Sequence, residues 1–177
     1  MGERRTNKDG FLAIAQTALS GFAALAFAMI FVSGLMALLA LLGQFPVAGV
    51  VEVLGKPTDW HGLSVPLAAY FIATSLMFAV LWRFLKNLIQ IVATVSAGDP
   101  FQSANAARLQ RMAWLMLALQ LIAPPVKAAA QYLAMTQNWR SPWSFNAMGM
   151  LFVVVLLVIA RVFQQGAMMR DDLEGTV

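Results

Sequence analysis

The chain has 177 residues, 60% of them hydrophobic and only 11% charged, where soluble globular proteins average about 45–50% and 25%. That balance excludes an ordinary soluble domain. The net charge of +4 reads as the basic excess that orients a membrane protein, with no direct nucleic-acid binding expected.

In chain order, the basic opening "MGERRTNKDG" is followed by Phe11 to Leu42 without a charge. The apolar core of a secretory signal is about 7–15 residues, so this stretch reads as a retained first span, roughly 12–42, behind a short segment 1–10. It exceeds the roughly 20 residues a bilayer requires and is expected to tilt or to project into water. Ser20, Ala24 and Ala28 recur every four residues, a face that predicts close helix approach. Gln44 to Gly62 carries Pro46, Gly49, Gly55 and Pro57, the punctuation of a turn-rich outer loop. Its centre, "VAGVVEVLG", is expected to lie along the membrane surface.

The second span, roughly 63–83, does not end at Arg83. Leu85, Leu88, Ile89, Val92 and Val95 continue at helical spacing among polar residues. Gly98 suits the end of a helix, and Pro100 blocks its continuation. Asp99 or Ser103 then caps a returning helix. Residues 84–111 are therefore expected to form a helical hairpin. The third span, roughly 112–133, holds Gln120, Pro124, Pro125 and Lys127. Two prolines remove amide donors and predict a kink that leaves the Gln120 and Leu121 carbonyls without partners. Gln120 and Lys127 are a candidate intramembrane polar site, although the long stem of Lys127 also allows it to snorkel to the interface. After the short loop "TQNWRSPW", a fourth span, roughly 143–162, begins with Ser144 and Asn146 as capping residues. Residues 163–177 form a helical tail ending in the acids Asp171, Asp172 and Glu174.

With both termini inside, the cytoplasmic face holds nine Lys and Arg residues, from Arg4 to Arg170. The outer face holds three, Lys56, Lys127 and Arg140. This asymmetry predicts an N-in, C-in topology. Trp60, Trp139 and Trp143 at outer ends, with Trp82 and Trp114 at inner ends, match interfacial anchoring. The fold class expected is an all-α membrane protein of four transmembrane helices with a cytoplasmic hairpin. The acidic tail is expected to meet Arg108 and Arg111 of that hairpin.

"GDPF" followed by Asn105 and Leu109, with the closing "VFQQGAMMRDDLEGTV", resembles the bacterial membrane family called domain of unknown function 2975. The matching positions are Gly98, Pro100, Phe101, Asn105 and Leu109, then Phe163, Gly166, Leu173, Glu174, Gly175 and Thr176. The resemblance implies a four-span inner-membrane protein, often accompanied by a small helix-turn-helix regulator. It transfers no activity. The stretch "QSANAARLQRM" is less charged than the hairpin helix usual in that family.

The residues themselves offer little chemistry. With no cysteine, disulfides, thiolate metal sites and a cysteine nucleophile are excluded. The single histidine, His61, sits in a loop with too few neighbouring ligands for zinc. "GLS" lacks the spacing of a nucleophile elbow. No enzymatic activity, cofactor or metal is expected. The leading expectation is a regulatory or accessory module of the bilayer that docks a cytoplasmic regulator on its hairpin and tail. The alternative is a subunit of a homo-oligomeric transporter or channel for small solutes or lipids.

Overall fold

A computed structural model of the chain describes residues 3–44, 60–133 and 146–174. They form four helices: α1 (Glu3–Leu41), α2 (Trp60–Ser96), α3 (Ser103–Leu133) and α4 (Ala147–Glu174). Each contains a stretch long and apolar enough to cross a membrane: Leu12–Leu41, Ser64–Ser96, Ser103–Ala130 and Ala147–Arg170. At about 1.5 Å per residue, even the last of these, with 24 residues, exceeds the roughly 30 Å hydrocarbon core of a bilayer.

The distribution of side chains agrees with lipid as the solvent. Large apolar residues such as Phe22, Phe31, Leu38, Val154 and Val158 point outward, while the buried positions are largely alanines, among them Ala23, Ala26, Ala40, Ala68, Ala113 and Ala160. Small residues let helix backbones approach where lipid removes any hydrophobic drive between helices.

The helices pack in chain order, α1 on α2, α2 on α3 and α3 on α4. Among the described residues α1 touches neither α3 nor α4, and α2 does not touch α4. The result is an open bundle. Phe27 stacks near Trp82 at 5.5 Å, and the Ser75 hydroxyl donates to the Ile30 carbonyl at 3.1 Å, so α1 and α2 run antiparallel.

The buried seam of α1 is Ala23, Ala26, Ser33, Ala37 and Ala40, with half-buried Ile30 between the second and third. These positions alternate in steps of three and four, the period of a coiled-coil seam. The expected face, Ser20, Ala24 and Ala28, is exposed instead. A strict four-residue step drifts around the helix, whereas a neighbouring helix follows the seven-residue repeat.

The boundaries sharpen several expectations. α1 is already helical at Glu3, so the opening segment is continuous with the first span. α2 runs unbroken through Arg83 to Ser96, and the tail is a direct continuation of the fourth span. α3 also continues through Pro124 and Pro125 to Leu133; the proline pair does not end it. Asn146 caps α4, its Oδ1 accepting from the Gly149 amide at 3.0 Å and its carbonyl from the Met150 amide at 3.1 Å. Ser144, Lys56, Arg140 and the two outer loops lie outside the described residues.

The hydrophobic core lies where the hairpin meets the last helix. Ile91 of α2, Leu109, Met112 and Ala113 of α3, and Val153, Leu156 and Ala160 of α4 form one buried cluster, joined by Phe84, Leu88 and Phe163. The hairpin is therefore part of the packed body of the protein.

Candidate functional site

The turn between α2 and α3 is built from local rules. Gly98 has φ +83°, the left-handed conformation that glycine adopts without a Cβ penalty. Its amide donates to the Val95 carbonyl at 3.1 Å, and the Asp99 amide donates to the Thr94 carbonyl at 3.1 Å. This pair of bonds is a Schellman closure of α2; Gly43, at φ +68°, closes α1 in the same way. α3 starts at Ser103, later than a cap at Asp99 would place it. Gln102 holds the capping position, its carbonyl accepting from the Asn105 amide at 2.9 Å. The Gln102 side chain donates to Asp99 Oδ2 at 2.9 Å.

Asn105 is the centre of the turn. It is 0% exposed, and with Ser33 it is one of two buried polar side chains among the described residues. Its Nδ2 donates to Thr94 Oγ1 at 2.6 Å and to the Pro100 carbonyl at 2.9 Å. Its Oδ1 accepts from Arg108 Nη1 at 2.7 Å. Arg108 Nε in turn donates to Gln90 Oε1 at 3.1 Å. A buried amide needs partners for both of its donors and its acceptor, and this turn supplies all three. One side chain thereby ties the end of α2, the turn and the start of α3 together.

A second set of contacts ties the turn to α4. The Phe101 ring lies over Gly166, where a Cβ would stand 2.8 Å from its Cδ1. The same ring is 5.2 Å from that of Phe163. Asp99 Oδ1 pairs with the Arg170 guanidinium. The tail meets the turn through a pair that the sequence analysis did not name. The cation is on the tail and the carboxylate on the turn, because the antiparallel register of α3 and α4 sets Arg170 beside Asp99. Arg108 is engaged by Asn105 and Gln90, and Arg111 lines a separate groove with Arg83 and Trp114. Asp172 lies on the exposed face of α4; the side chains of Asp171 and Glu174, and all of Gly175, lie outside the described residues.

Deeper in the bundle, Gln120 packs on α4. A Cβ at Gly149 would stand 1.5 Å from Gln120 Nε2, so the amide occupies the space that the glycine leaves open. Lys127, two turns further along α3, is exposed. At about 1.5 Å per residue the two are about 10 Å apart along the axis, and the structure does not bring them together. Gly149 was not singled out from the sequence, although a glycine inside an apolar helix signals close approach.

The two motifs that stand far apart in the sequence, the turn and the end of the chain, thus touch through Phe101 and Gly166. Both fall within residues 55–177, which match the family model described as "Protein of unknown function (DUF2975)". The chain belongs to this family. The match spans α2, α3 and α4 and leaves α1 outside it, so the clasp at Asn105 and Gly166 lies wholly in the DUF2975 region. Comparisons with curated proteins and with solved structures returned no match.

Proposed function

We propose that this chain is a non-enzymatic accessory or regulatory protein of the bacterial cytoplasmic membrane, with both termini and the hairpin in the cytoplasm. The single observation that carries the reading is the clasp: Phe101 on Gly166 with Asp99 on Arg170. It makes one surface from the ends of three helices. Six basic residues, Arg83, Lys86, Arg108, Arg111, Arg161 and Arg170, fall at this end, which supports its cytoplasmic side.

That surface suits a soluble protein partner. Phe101, Met168 and Met169 are exposed there, next to a groove of about 310 Å³ lined by Ser103, Gln110, Arg161 and Gln164. Exposed apolar residues rimmed by polar ones mark interaction surfaces, and methionine is enriched in them. A shift in the packing of α2, α3 and α4 moves the turn relative to the tail, and a docked partner reads that movement.

The test is photo-crosslinking in intact cells from position 169, with position 72 on the apolar face of α2 as control. The reading expects a discrete adduct with one cytoplasmic protein from position 169, weakened by Gly166→Val. Absence of any adduct from position 169, or adducts indifferent to Gly166→Val, counts against it. The alternative, a channel or transporter subunit, needs further copies to close a path. Within one chain the helices form an open bundle, and Gln120 fills the seam between α3 and α4.

A further inference from the structure

Between α2 and α3 lies a second groove of about 480 Å³, lined by Arg83, Asn87, Arg111, Trp114 and Leu115. Asn87 donates to its own helix, at the Arg83 carbonyl, 2.8 Å away. The charge of the groove therefore comes from the two guanidiniums. Among the described residues, neither makes a side-chain hydrogen bond or ion pair. Neither α2 nor α3 contains a single Asp or Glu, and Asp99 in the turn between them is engaged by Gln102 and Arg170. Two like charges facing one groove, with no counter-charge among the described residues, repel each other, and an anion between them removes that repulsion.

We propose that this groove binds the phosphate of an anionic phospholipid headgroup. Arginine suits the task because its planar fork of donors matches phosphate oxygens. The depth is that of the membrane interface: Arg83 and Arg111 stand where the apolar stretches of α2 and α3 give way to polar sequence, and the exposed Trp114 ring lies beside them, as interfacial tryptophans do.

The apolar continuation of the groove selects a lipid over a soluble phosphate. Leu76, two helical turns from Arg83, is 52% exposed, and Leu121, about three turns from Arg111, is 69% exposed. Leu76 lies on the helix stripe that carries Arg83 and Leu121 on the stripe that carries Trp114, both on the side away from the turn. An acyl chain leaving a headgroup held at the arginines runs along these residues. Basic pockets between transmembrane helices hold anionic headgroups in this way. The site is independent of any protein partner.

The experiment is native mass spectrometry of the full chain in detergent, with phosphatidylglycerol and phosphatidylcholine of matched acyl chains added in equal amounts. Preferential retention of phosphatidylglycerol by the unmodified chain is expected. Arg83→Gln and Arg111→Gln each lower that retention about fivefold, and about thirtyfold together. Lys86→Gln, a charge of the same helix outside the groove, leaves it unchanged. Equal retention of the two lipids, or retention indifferent to the double substitution, overturns the proposal, and the first of these needs no variant. Displacement of phosphatidylglycerol by millimolar inorganic phosphate also overturns it, by showing that the groove takes the soluble ion.

Discussion

Phe101 lies against Gly166, close enough that a Cβ there would stand 2.8 Å from its ring. One residue belongs to the turn between two helices and the other to the last helix, 65 positions later in the chain. Helix propensity alone favours replacing a mid-helix glycine, by up to about 1 kcal/mol, so the contact gives this glycine a physical reason to be there. Gly166→Val is expected to destabilise the detergent-solubilised protein by about 2 kcal/mol through overpacking. In a Phe101→Ala background the same change is expected to be neutral or stabilising. Thermal unfolding of the four proteins of this cycle measures the coupling, and additive effects would show that the two residues do not press on each other.

Asn105 carries the turn's polar network. Asn105→Leu removes the buried amide, leaves the half-buried Pro100 carbonyl without its donor and takes an acceptor from Arg108, which is expected to cost about 2–3 kcal/mol. Thr94→Val removes only one partner of the amide and is expected to cost about 1 kcal/mol. Chemical unfolding followed by far-ultraviolet circular dichroism ranks the two. Equal and negligible losses would mean that the network contributes nothing.

The ion pair between Asp99 and Arg170 is partly solvated, with side chains 31% and 46% exposed. Pairs of this kind contribute about 0–1 kcal/mol. Reversing either charge alone is expected to lower stability within that range and to loosen the tail. The doubly reversed protein, Asp99→Arg with Arg170→Asp, should recover most of the loss at low salt. Limited proteolysis of the tail is the readout, and cleavage as fast in the double variant as in the single ones would exclude the pairing.

Gly149→Ala places a methyl group where the Gln120 amide sits. The end of that side chain is flexible, so the expected loss is about 1–2 kcal/mol, and Gln120→Ala should relieve it. Unfolding of the same four-protein design, monitored by tryptophan fluorescence, decides it. A Gly149→Ala penalty that survives Gln120→Ala would place its cause elsewhere.

Much of this fold was legible because membrane sequences state their spans plainly. Four apolar stretches became four helices, the Gly98 and Pro100 signals became a closed turn, and Asn146 became a cap, each for local reasons. The packing was less legible. In the alanine-rich α1, small residues occur on every face, and only the position of α2 selects Ala23, Ala26 and Ala37 over Ser20, Ala24 and Ala28. The ion pair of the clasp was hidden for a related reason. Counting acids on the tail and bases on the hairpin does not point to Asp99 and Arg170, which the register of α3 against α4 sets side by side. The importance of Asn105 was visible only as a motif position, since nothing in its neighbours announces that it is buried. Gly166 was likewise a motif position whose physical role, making room for an aromatic ring, needed the third dimension.

The central claim is that the turn and the last helix form one clasped unit, and a distance measurement tests it most directly. The chain has no cysteine, so spin labels at Ala97→Cys and Met169→Cys report on the two sides of the clasp without further changes. Pulsed electron paramagnetic resonance in lipid nanodiscs is expected to show a single narrow distance distribution that broadens and lengthens in Gly166→Val. A broad distribution in the otherwise unmodified protein, unaltered by Gly166→Val, would contradict the clasp.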